Sequence, residues 1–362
     1  MKNKFIIASL IFLLSGSLVV ASSEVSVKKI ELCSVKKVGE GVLNYPGLPA
    51  MGYNISAIDD SYFYVYDSKG KYPFYALDKK TLQLKGFGSW GQGPGEVLMG
   101  SPSVINSTGS KILIFLPLQR KLVVFSNDLK FLKEIKPEAE MGVLYMISDN
   151  EGVSVNLFSM ECLAEKIKID ENGKVLSVLK YYPFKKVLTK NQNMIKLGKN
   201  PLLKQGAIYF DKEGNFFFAH YYSSLIFKSS PIGDVFEYEF EPRNIEVPEA
   251  EVKERGGIIS GDPERCIQSY LSLTSDGKYL YALFSGEEIT MEKVIAFRTG
   301  KGKEINLGEG KFVDVFRKED LSYVLSFELP VLATSIAVDN ENLYVTTAEN
   351  EPCILIFKKP KF

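Results

Sequence analysis

The chain has 362 residues, with 44 basic and 44 acidic side chains, so no net field draws it towards nucleic acid or an anionic membrane surface. With 45% hydrophobic and 12% aromatic residues it can bury a large core, in two domains or in one closed β-architecture. Its single histidine, His220, excludes a multi-histidine zinc site, and no Cys-x-x-Cys pair or phosphate-cradling Gly-x-x-x-x-Gly-Lys-Ser/Thr loop occurs.

Met1 to Lys4, the apolar run Phe5 to Leu14 and the small-residue stretch Val19 to Ser23 have the basic, apolar and cleavage regions of a secretory signal. Residues 1–23 are therefore expected to be removed, leaving 24–362 as one exported domain; the rival reading is an uncleaved anchor. Leu14-Ser-Gly-Ser17 is similar to a lipoprotein signal with Ser in place of the lipidated Cys, so no lipid anchor is expected.

Ser26 to Val35 reads as a single strand with no hairpin partner nearby. Ile55 to Tyr66 reads as two strands around an Asp-Asp-Ser turn, and Phe74 to Lys85 as a second hairpin, which makes a four-stranded meander. The first turn recurs at Asn106 to Gly109, Asp149 to Gly152, Asp211 to Gly214, Ser275 to Gly277 and Asp339 to Asn342, each followed by an apolar or aromatic run. Six four-stranded units spaced by about 40 residues or more predict a six-bladed β-propeller, whereas a β-sandwich lacks unit-by-unit recurrence. The last unit supplies only three strands before Phe362. The strand Ser26 to Val35 is expected to complete it beside Ile354 to Phe357, closing the ring and covering a sheet edge. Cys33 and Cys353 would then lie on adjacent strands, where a disulfide would lock the closure if the register allows it. Residues 182–205, 241–265 and 286–310 exceed the unit, as surface insertions or as lids, and Pro248 to Arg255 is charged enough for a short helix.

Between the first two units lies Gly86-Phe-Gly-Ser-Trp-Gly-Gln-Gly-Pro-Gly-Glu96, with five glycines in eleven residues. The stretch reads as a tight connection between blades. It resembles the repeat linker of NHL-type propellers and the Gly-x-Gly-Pro-Gly-Glu signature of TolB-like six-bladed propellers of Bacteroidetes envelopes. Two departures are Val97, where relatives carry an aromatic, and Ser17, where many carry the lipidated Cys. The resemblance implies a periplasmic or cell-surface propeller that binds a protein, peptide or glycan more often than it catalyses, and a monomer without a cofactor is expected.

In such a blade the linkers between units share one face with the loops joining second and third strands. That face is expected to carry Trp90, Glu96, Asp67, Lys69, Gln119, Arg120, His220, Tyr221, Tyr222, Glu349 and Asn350, and it is the expected binding face. Four of them also have a structural reading: Trp90 as an inter-blade anchor, Arg120 in a surface salt bridge, His220 as a strand-end residue with a polar partner, Glu96 as a cap on turn amides. The alternative function is a hydrolase or lyase with a Ca²⁺-like ion held by channel carboxylates. Asp59, Asp60, Asp67 and Asp339 are acidic, although turn chemistry explains such positions as well.

Overall fold

The computed structural model describes residues 27–28, 30, 32, 34–43, 56–99, 104–108, 110–137, 143–155, 162–172, 174–183, 205–211, 213–229, 236–240, 242–248, 253–255, 258–260, 265–290, 292–293, 308–348 and 351–362. The signal-like segment lies outside them. Six four-stranded antiparallel meanders follow one another as blades one to six. Their first strands are Ser56–Ile58, Val104–Ser107, Val143–Met146, Gly206–Phe210, Tyr270–Ser275 and Ser335–Val338. These strands adjoin around the axis, so the turn after each first strand lies on one face and the linkers between blades lie on the other.

Both faces of each sheet are covered, and the side chains show it. In blade one Phe63 and Val65 pack with Ala337, Tyr344 and Ile356 of blade six, while Tyr64 and Tyr66 pack with Ile112, Ile114 and Val123 of blade two. In blade five Leu280, Ala282 and Phe284 join Phe217 and Ile226 of blade four, whereas Tyr281 and Leu283 join Ile336 and Val345 of blade six. Successive strand residues are thus all buried, on opposite sides. Two-sided burial of this kind produces near-continuous apolar runs rather than a hydrophobic–polar alternation.

The N-terminus closes the ring, but later in the chain than expected. Ser34–Val38 is the fourth strand of blade six, antiparallel to Cys353–Lys358, with Ser34 opposite Phe357 and Val38 opposite Ile354. Val27–Lys28, the earlier part of the expected strand, pairs in parallel with Ser326 and Phe327 on the outer edge of blade five. The N-terminal chain therefore joins two neighbouring blades. A Cys33–Cys353 bridge would need the start of this strand to lie beside Cys353. Ser34 instead faces a residue four places further on, and Cys353 is a buried free thiol; Cys33 itself lies outside the described residues.

The helix expected within Pro248 to Arg255 is not formed at its end, where Lys253–Arg255 pairs with Ile258–Ser260 as a short hairpin. Beyond it, Arg265–Ile267 pairs with Glu288–Thr290, so two of the long insertions meet in one ladder. The third lies largely outside the described residues.

Candidate binding site

The glycine-rich linker is a built loop. Ser89–Trp90 and Glu96–Val97 pair in parallel, and the Glu96 carboxylate accepts the Gly93 amide at 2.8 Å. A β-carbon on Gly91, at φ +152°, would sit 2.0 Å from that carboxylate, and one on Gly95, at φ +74°, would meet the Phe131 ring at 2.6 Å. Both positions need glycine for backbone conformation and for close approach. Trp90 donates its indole N–H to the Gly70 carbonyl at 2.8 Å and meets the Tyr66 ring edge-on, which makes it the anchor of the linker to blade one.

From blade two, Gln119 accepts the Leu98 amide at 3.0 Å and donates to the Glu96 carbonyl at 3.3 Å. Lys121, only 3% exposed, donates to the Gly93 carbonyl at 3.1 Å and pairs with Glu134 at 2.9 Å. Glu134 also accepts the Gly95 amide at 3.1 Å. Burial disfavours the Glu134 charge, yet Lys121 and that amide outweigh it and hold the carboxyl below its ordinary value. In the sequence Lys121 is only a charge at the start of an apolar strand, which does not single it out.

Several other expected binding residues are committed to the fold. Asp67 is fully buried and accepts the Lys69 amide at 3.1 Å within its own loop. His220 is fully buried at the end of the second strand of blade four, its Nδ1 hydrogen-bonded to the Ser223 hydroxyl at 2.7 Å. Tyr222 is buried beside it, and Tyr221 accepts from the Gln268 amide; burial pushes the Tyr221 hydroxyl up to about 12. The group, with Tyr221 partly exposed, joins blades four and five through the Tyr221–Gln268 contact. Glu349 and Asn350 lie outside the described residues.

Lys69 and Arg120 are exposed. Arg120 follows the turn Pro117–Gln119 in the left-handed region, at φ 49° and ψ 47°, and forms no ion pair with a described residue, so the expected surface salt bridge is not made there. Met99, 69% exposed, and Leu118, 68% exposed, are each one residue from the Leu98–Gln119 hydrogen bond that joins the two segments. Of the expected face, the structure thus brings together Trp90, Glu96, Gln119 and Arg120 around the first linker, and adds Met99 and Leu118. Two isolated apolar residues in loops carry no pattern by which sequence could have found them.

The carboxylates on the opposite face have a repeated architectural role. Asp59, Asp276 and Asp339 each accept two amides of their own turn, and each accepts a tyrosine hydroxyl five residues on, from Tyr64, Tyr281 and Tyr344 at 2.8–3.0 Å. Each also reaches the next blade: Asp59 to Ser107 at 2.6 Å, Asp276 to Lys359 at 2.7 Å and Asp339 to Lys79 at 3.1 Å. Asp211 reaches Lys318 at 3.1 Å, and Asp149 pairs with Lys111. Burial opposes the charge on Asp211, Asp276 and Asp339, but turn amides and the neighbouring lysines hold all three below the ordinary carboxylate range. Among the described residues no three His, Cys, Asp or Glu side chains converge as a metal-ligand set.

A second carboxylate network lies inside blade five. Asp314, fully buried, accepts Arg243 Nε at 2.8 Å and the Tyr270 hydroxyl at 3.1 Å, and the Arg243 guanidinium lies 3.9 Å from the centre of the Phe284 ring. Arg243 thereby fixes the linker between blades four and five.

Among the described residues no helix is long and apolar enough to cross a membrane. No family model and no curated protein sequence matches the chain. Among solved structures it is similar to a member of the DUF4221 family from Bacteroides vulgatus ATCC 8482, at 9% identity and TM-score 0.53, covering 92% of this chain and 99% of that one. It is also similar to a candidate exported protein of Bacteroides fragilis NCTC 9343, at 12% identity and TM-score 0.50, covering 94% and 97%. At such identities the likeness is one of fold, and the fold shared along almost the whole chain is the six-bladed β-propeller.

Proposed function

We propose that this protein is an exported propeller of the TolB-like and NHL-like kind that acts as a binding or scaffold module. Its partner is a protein, peptide or glycan of the cell envelope, met in the periplasm or at the cell surface by a monomer that carries no lipid anchor and needs no cofactor. The observation that carries the binding reading is the exposed group of Met99, after the first linker, with Leu118 and Arg120, on the Pro117–Gln119 turn of blade two. The Leu98–Gln119 hydrogen bond ties the two segments, and Lys121 and Trp90 fix the linker. Rigid presentation of apolar contacts beside an arginine without an ion pair among the described residues suits recognition, because little side-chain and loop ordering remains to oppose binding. Export is supported by the basic, apolar and small-residue order of residues 1–23.

The test is crosslinking in the native envelope with the unaltered protein, with the pair Leu118→Ser and Arg120→Ala, and with a control altered on the opposite face at exposed Glu341. Loss of the captured partner in the pair alone supports the reading. Capture that survives the pair and is lost in the control places recognition on the other face.

A further inference from the structure

The innermost strands of all six blades enclose an axial cavity of about 550 Å³, which reaches the turns at Asp60, Thr108 and Asp211, away from the linkers. We propose that it is a second binding site, separate from the linker face, that takes an uncharged, hydroxyl-rich small molecule of the size of one or two sugar rings.

Size is the first argument, since the volume lies within the roughly 300–1,000 Å³ of small-molecule pockets. Charge is the second. Among the described residues no Lys, Arg or His lines the cavity, whereas Asp59, Asp60 and Asp211 do. An anionic ligand would be repelled by these carboxylates, least by Asp211, which pairs with Lys318 at 3.1 Å.

The third argument is which lining groups the fold leaves uncommitted. Asp59, Ser107, Asp211, Ser272 and Ser335 are hydrogen-bonded in turns or between blades. Ser56, Asp60, Asn106 and Thr274 make no side-chain hydrogen bond with any described residue. These four side chains combine a pure acceptor, two hydroxyls and an amide, a set that matches ligand hydroxyls, which both donate and accept. Ile58, Ile105, Phe210 and Leu273 supply apolar wall between them, suited to the C–H faces of a sugar ring.

The experiment titrates the full chain with maltose, N-acetylglucosamine and glucose 6-phosphate, read by ligand-observed NMR and calorimetry. At least one neutral sugar is expected to bind, and glucose 6-phosphate at least about tenfold more weakly. Asn106→Leu and Asp60→Ala should each weaken that binding at least fivefold while leaving the thermal midpoint unchanged or, for Asn106→Leu, raised. Failure of both neutral sugars to bind overturns the proposal, as does equal binding of the phosphate or of both variants. Because Leu118→Ser and Arg120→Ala should leave sugar binding unchanged, failure here and failure of the linker-face reading are told apart.

Discussion

Replacing Asp339 tests whether the turn carboxylates lock neighbouring blades together. Asp339 accepts the amides of Glu341 and Asn342 at 2.9 and 2.8 Å, the Tyr344 hydroxyl at 3.0 Å, and Lys79 of blade one at 3.1 Å. Asp339→Asn keeps Oδ1 for both amides and puts an amide NH2 at Oδ2, where the Tyr344 hydroxyl can turn to accept it, so the main cost should be the ion pair. With the Asp339 and Lys79 side chains 20% and 15% exposed, that is about 1 kcal/mol. Asp339→Ala removes all four contacts, and at about 1 kcal/mol for each it should cost about 4 kcal/mol. An unfolding entropy of about 2.1 cal/mol/K per residue gives roughly 0.7 kcal/mol/K for a chain of this length, so the midpoints should fall by about 1.5 °C and about 6 °C. The carboxyl is held below its ordinary value, so its contribution is complete above the unfolded pKa and is lost as pH falls through the folded one. The gap between wild type and Asn should therefore be constant from pH 7 to about 5 and close below about pH 4. Calorimetry across that range, with a Lys79→Met double-mutant cycle, reads all three quantities. Equal losses for Asn and Ala, a gap that does not narrow as pH falls below about 4, or additive effects of Asp339→Asn and Lys79→Met would refute the reasoning.

In blade five, Asp314→Ala leaves the largely buried Arg243 charge without its partner and should cost about 3–5 kcal/mol in urea unfolding, whereas Asp314→Leu combined with Arg243→Met should cost less than that single change. Gly91→Ala forces a β-carbon onto the Glu96 carboxylate and should destabilise by more than about 1 kcal/mol, with relief in Gly91→Ala/Glu96→Ala if that contact is the cause. Trp90 is the only tryptophan, so its fluorescence reports the first linker; its unfolding curve should coincide with that from far-UV circular dichroism if the linker belongs to the cooperative unit. Deleting Ser34 to Val38 should abolish cooperative unfolding, and an unchanged melt would show that this strand does not complete the ring.

The recurrence of a turn followed by an apolar run was legible because every blade repeats the same local problem. A first turn such as Asp59-Asp-Ser must cap its own amides, and the strand after it must bury both sides. The glycines at 91 and 95 were legible as backbone devices for the same reason: their conformations and close approaches have a local cause. Recurrence also exposed the missing strand of blade six. The tertiary structure alone decided which N-terminal residues supply it, because register depends on partners more than 300 residues away, and it divided the expected strand between blades five and six.

The candidate site was less legible. Asp67, His220, Tyr221 and Tyr222 are chemically apt for binding, and only burial and hydrogen bonding show that the fold uses them. Met99 and Leu118 carry no signature in sequence, since exposure is a property of what packs around a residue. The axial cavity is contributed a few residues at a time by six strands from Ser56 to Ala337, and the chain determines each piece while only closure of the ring brings the pieces to face one another.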